Sequence, residues 1–247
     1  MTLRLGVLST LALLGLGALP EAAYAAPRTL GWSSYGFTTV LPCEIGAAVA
    51  GRAKSRPAAD SGLSALHASG QRFPDFVAAA KARREGWVKL ADSAQVADAV
   101  VTRAKTAVQG GAWRILVVAI DACGDSMNTV PYVARVAALA GIDLRIVLPT
   151  AGRAVQDSHR SLDGRIATPT FVLLDEAGNE RGCIVEQPRP LREWAAPERS
   201  KVSLDSVHAG IRAFYARDKG ESIALETVEM LEAAKAGKTH CDRGTAR

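Results

Sequence analysis

The chain has 247 residues, 48% of them hydrophobic, and 30 Lys and Arg against 25 Asp and Glu give a formal net charge of +5. The charges alternate in sign along the helical stretches and do not mass into a basic stripe, so nucleic acid is not indicated as a partner. Beyond the first 25 residues no stretch approaches the roughly 18 apolar residues of a membrane span, and no stable membrane insertion is expected.

Residues 1–25 carry Arg4, a run of Leu, Val, Ala and Gly, and a small-x-small end at Ala23-Tyr24-Ala25. That is the layout of a secretory signal peptide, which predicts a mature chain starting near Ala26 and a periplasmic or secreted location. Such a compartment permits disulfides among Cys43, Cys123, Cys183 and Cys241. No two of them have C-x-x-C spacing, and sequence alone does not fix their pairing. A Cys43–Cys241 bond is one candidate staple between the two terminal extensions. Cys43 is also a candidate to resolve a mixed disulfide at Cys123.

Residues 26–72 read as an irregular arm, broken by Gly31, Gly36, Pro42, Gly51, Pro57 and Gly62. Residues 73–110 are helical in pattern, with an interruption at Gly86, a cap for the second helix at Asp92 or Ser93, and a stop at Gly110-Gly111. Residues 114–120 form a strand, and Ile115, Val117, Val118 and Ile120 leave no polar alternation, as suits burial on both faces. A helix follows, with Val130, Val133, Ala134, Ala137 and Ala140 on one side and Gly141 at its end. Residues 142–148 make a second buried strand and 151–161 a short polar helix. A third strand at 168–175 turns through 176–179 into a hairpin partner at 182–186. Two helices close the chain, one with an apolar face from Leu204 to Tyr215 and one over residues 221–235. This order predicts an α/β sandwich around a small mixed sheet.

The chemistry concentrates where the first strand meets its helix. Cys123 stands at that junction, and Gly124, Asp125 and Ser126 open the helix N-terminus. Free backbone N–H groups and the helix dipole there favour a thiolate by roughly 0.3–1 kcal/mol, up to about 2 when partly buried, a depression of roughly one pKa unit. A hydrogen bond from the Ser126 hydroxyl is expected to act the same way, and the charges of Asp121 and Asp125 to act against it. His240-Cys241 lacks a second ligand pair, and His67, His159 and His208 are scattered, so no metal or cofactor is expected. There is no Ser-His-Asp set and no phosphate-binding loop.

With these residues in place, the sequence resembles the thioredoxin superfamily. Cys123-Gly124-Asp125-Ser126 takes the place of the redox C-x-x-C motif, Pro131 the place of the helix proline, and Thr168-Pro169 the place of the cis-proline beside the cysteine. The chain looks most like a bacterial exported group with a monothiol C-G-D-S motif, a likeness that extends through Glu186-Gln187-Pro188-Arg189-Pro190 to Trp194. It departs from the family at Ala122, where a tryptophan is usual, and at Val117, near the place of a buried acid.

The resemblance implies a thioredoxin-like sandwich with extra helices at both ends. The expected divisions are a signal peptide (1–25), an irregular arm (26–72), a thioredoxin-like core with its preceding helices (73–195) and a helical extension (196–247). It implies Cys123 and Ser126 as catalytic residues, Gly124 and Asp125 at the helix N-terminus, and Thr168 and Pro169 as the substrate-binding backbone. Expected partners are protein or small-molecule thiols and disulfides. The alternative is a peptide- or protein-binding module that keeps the fold and has lost redox turnover.

Overall fold

The computed structural model describes residues 61–244. The expected signal peptide, most of the arm and Cys43 lie outside the described residues. Within the arm's expected limits, Ser61–Ser69 form a first helix, α1, so the irregular reading does not hold as far as residue 72. Leu63 and Leu66 of α1 pack against the sheet, and this tertiary packing offsets a weak local pattern.

The helical region that follows divides into α2 (Phe73–Ala79), α3 (Arg84–Ser93) and α4 (Asp98–Val108). Gly86 does not interrupt a helix. It lies inside α3, where a Cβ would come within 2.4 Å of Met127 Sδ, so the missing side chain allows close approach to the next helix. Nor do Asp92 or Ser93 cap α4. Its N-cap is Ala97, with no side-chain hydrogen bond.

β1 (Arg114–Val118), β2 (Asp143–Val147), β3 (Thr170–Leu174), β4 (Glu180–Val185) and β5 (His240–Cys241) form one sheet in the order β2-β1-β3-β4-β5. β1 runs parallel to β2 and antiparallel to β3, β4 runs antiparallel to β3, and β5 adds parallel to β4. The sheet is therefore small and mixed, as expected.

Its two faces are both covered, which explains the unbroken apolar run of β1. Ile115 and Val117 face the larger core, built with α2 to α4, α5 (Gly124–Ala140) and α9 (Glu221–Lys235). Leu116 and Val118 face the other side, where α1 and α6 (Arg153–Ser158) contribute Leu63, Leu66 and Val155. α7 (Arg189–Glu198) and α8 (Leu204–Asp218) make a smaller apolar contact of their own through Leu191, Ala195, Val207, Ile211 and Tyr215. Gly141 ends α5 at φ 76°, the left-handed cap its position predicts. Among the described residues, no helix is long and apolar enough to cross a membrane.

Candidate functional site

The backbone leaves β1 at Val118 and reaches Cys123 through a loop tied down from the N-terminal side. The Asp121 carboxylate accepts the backbone N–H groups of Lys81 (2.7 Å) and Ala82 (2.9 Å). The Asp121 carbonyl accepts the Trp87 indole N–H at 2.9 Å, and the Arg83 Nε donates to the Ala122 carbonyl at 2.7 Å. Trp87 is wholly buried and meets Phe76 edge to face, so these ties stand on packed apolar ground. Ala122, not a tryptophan, stands directly before the cysteine, but Trp87 from α3 reaches the same loop.

Cys123 is the N-cap of α5, in extended conformation at φ −80° and ψ 125°. The Ser126 N–H donates to Cys123 Sγ at 3.4 Å, which is the helix-terminus contact that the sequence implies. The Ser126 hydroxyl does not take part as expected; it is buried with no hydrogen-bond partner among the described residues. Thr168-Pro169 is a cis peptide, and the Thr168 carbonyl oxygen lies 3.2 Å from Cys123 Sγ. Thus Cys123, Gly124, Asp125, Ser126, Thr168 and Pro169 come together at the end of the sheet.

Cys123 is 2% exposed and disulfide-bonded, and no described cysteine is a free thiol. Cys183 and Cys241 form their own disulfide, made possible by the pairing of β4 with β5 that sets the two residues opposite each other. The Cys43–Cys241 staple is therefore ruled out, because Cys241 is already taken.

Asp125 is more than a first-turn acid. It is buried in α5, where its Oδ1 accepts the Tyr215 hydroxyl of α8 at 2.8 Å and Gln187 Nε2 at 3.3 Å. Burial pushes its carboxyl up, the nearby Glu186 charge pushes the same way, and Tyr215, Gln187 and Arg199 oppose them; the result is a pKa of about 7. Burial likewise raises the Tyr215 phenol, with the Asp125 charge adding to it. Asp125 thus opposes a thiolate at Cys123 only once it has ionised.

Glu186, at φ 66°, joins this group to the Pro169 strand through its N–H, which donates to the Pro169 carbonyl at 2.7 Å. Its buried carboxylate accepts from Arg165 Nη2 at 2.9 Å and Arg199 Nη2 at 3.2 Å. Sequence reasoning missed Glu186, Gln187, Tyr215, Arg165 and Arg199 as neighbours of the site. The available signal was the polar pair Glu186-Gln187 directly after an apolar strand.

A cysteine capping a helix beside a cis-proline strand, on a sheet of this topology, defines a thioredoxin-fold protein. The thioredoxin family profile matches residues 70–201, and the chain belongs to that family. Two solved structures are similar. A protein of unknown function from Pseudomonas aeruginosa is 21% identical, over 69% of this chain and 97% of that one, with a TM-score of 0.53. An HIV epitope-scaffold is 22% identical over the same shares, with a TM-score of 0.52. At these identities the likeness is one of fold. No curated protein matches the chain.

Proposed function

We propose that the protein is an exported thiol–disulfide exchange protein with Cys123 as its nucleophile and Cys43 as the thiol that resolves it. The observation that carries this reading is the position of Cys123 Sγ, which takes the Ser126 N–H at 3.4 Å and stands 3.2 Å from the Thr168 carbonyl. Cysteine arithmetic supports Cys43 as the partner: Cys183 and Cys241 are joined to each other, and Cys43 and Cys123 are the two cysteines that remain. The apolar leader over residues 1–25 supports export.

In the reduced protein the Cys123 thiolate attacks one sulfur of a substrate disulfide, and the other substrate sulfur leaves as a thiolate and takes up a proton. Thiolate Cys43 then attacks Cys123 Sγ in the mixed disulfide. The second substrate thiol leaves, and the protein is left with a Cys43–Cys123 disulfide. Run backward, the same steps oxidise a substrate dithiol. Thr168 offers backbone groups beside the reacting sulfur to an extended peptide.

The deep burial of Cys123 and the apolar Val117 on the central strand favour the second reading, a binding module without turnover. Insulin-disulfide reduction by the full chain separates the two. Turnover that falls to the uncatalysed rate in Cys123→Ser, with a trapped Cys123 mixed disulfide in Cys43→Ser, is the expected result. Absence of turnover in the parent, with unaltered partner binding by Cys123→Ser, would establish the binding module instead.

A further inference from the structure

The second disulfide lies on the α6 side of the sheet, against Ala167 and Val185, and a histidine adjoins it. His159 follows α6 and is 2% exposed. One ligand atom of His159 and the sulfurs of Cys183 and Cys241 all lie within 4.8 Å of one another. His159 Nδ1 stands 2.8 Å from the Val155 carbonyl; a carbonyl oxygen can only accept, so this nitrogen carries a hydrogen and the ring is fixed. Nε2 is the nitrogen left over, and it points at Glu180 Oε1, 3.0 Å away.

Two sulfurs, an imidazole oriented by a backbone carbonyl, and an adjoining carboxylate make a ligand set suited to zinc. Zinc bonds of about 2.3 Å to sulfur and about 2.0 Å to nitrogen put tetrahedral ligand atoms roughly 3.5–3.8 Å apart, within the observed spread. Opening the sulfur pair shifts β5, a strand of two residues, against its pairing with β4 and the Arg192–Asp242 ion pair.

We propose that the reduced Cys183–Cys241 pair and His159 form a zinc site, with Glu180 as the carboxylate beside it. The disulfide and the metal are alternatives for the same sulfurs. A dithiol reductant gives two electrons and two protons to the Cys183–Cys241 bond and leaves as a cyclic disulfide. Zinc then replaces the two thiol protons and takes the place of the hydrogen between His159 Nε2 and Glu180. Soft thiolates select zinc over magnesium or calcium, and binding strengthens as pH rises because protons are released.

The test uses the full chain with Cys43→Ser and Cys123→Ser, so that the other pair binds no metal. It is reduced with dithiothreitol, desalted without oxygen and titrated with cobalt(II) alone. One cobalt per chain, with the visible bands of a tetrahedral thiolate complex that zinc displaces, is expected, and the oxidised chain should show none. His159→Gln should bind at least about tenfold more weakly. A reduced chain that takes up no metal, or a folded His159→Gln chain that binds as well as its parent, overturns the site. If His159→Gln does not fold, alkylation of the parent decides. Zinc must slow modification of both Cys183 and Cys241, and equal rates with zinc and with a chelator overturn it.

Discussion

The two disulfide-bearing regions of this protein hold the same kind of bond in opposite settings. Cys123 caps a helix, takes a backbone N–H on its sulfur and has a buried, raised-pKa acid two residues on. Cys183 and Cys241 sit side by side on neighbouring strands. β5 is braced by Arg192, which pairs with Glu226 and, at 2.9 Å, with Asp242. Burial pushes the Glu226 carboxyl up, but hydrogen bonds from His240, Arg192 and the Arg189 N–H hold it at about 2. The first setting favours a sulfur that gains and loses charge. The second fastens the end of the chain to the sheet. A disulfide's role is thus set less by the bond than by which charges surround its sulfurs.

The largest way to break this comparison is to remove the fastening. Cys183→Ala with Cys241→Ala should lower stability by about 4 kcal/mol, the chain-entropy figure for a 58-residue separation, as read from denaturant midpoints. Insulin reduction per folded molecule should be unchanged. If turnover falls with stability intact, the two regions are one machine and the contrast fails.

Asp125→Asn sharpens the other side. Unfolded, this acid ionises above about 3.8, whereas folded it keeps its proton to about 7. Between those values the folded state holds the extra proton, so the parent loses stability as pH rises through the window, on the order of 4 kcal/mol in all. Urea titrations across that range should show the slope in the parent and a flatter profile in Asp125→Asn. The groups facing Asp125 that set this window are Glu186, Arg199 and Tyr215. The same variant should hold the Cys123 thiol pKa lower above pH 7, as read by alkylation rate against pH, because an amide cannot add a repelling charge. An identical slope in both chains would remove Asp125 from the account.

The smallest effect is that of Tyr215→Phe, which deletes one hydrogen bond to a charged or charging group. It should cost about 1–2 kcal/mol, and more above pH 7 than below it, by the same urea titration.

Strands β1 to β4 and the strand-to-helix junction at Cys123 were legible in the sequence because local pattern decides them. β1 is apolar at almost every position, Cys123 is followed by helix-opening residues, and Thr168-Pro169 starts an apolar strand. Residues 221–235 coincide with α9 for the same reason. α7 was missed because two prolines and several charges obscure its period, although Leu191 and Ala195 bury its inner face. β5 has only two residues, too few for any pattern, so the Cys183–Cys241 pairing could not be read. The protonation of Asp125 was invisible because the residue that helps to bury it, Tyr215, comes 90 positions later.

Tyr215 also stands outside the segment, residues 70–201, that the family profile matches. The tetrapeptide Cys123-Gly124-Asp125-Ser126 is therefore not a portable unit. Grafted onto another thioredoxin scaffold without α8, its aspartate would meet water, ionise near the ordinary carboxylate range, and set a permanent negative charge beside the sulfur. Anyone transplanting this motif would need to bring the far end of the chain with it.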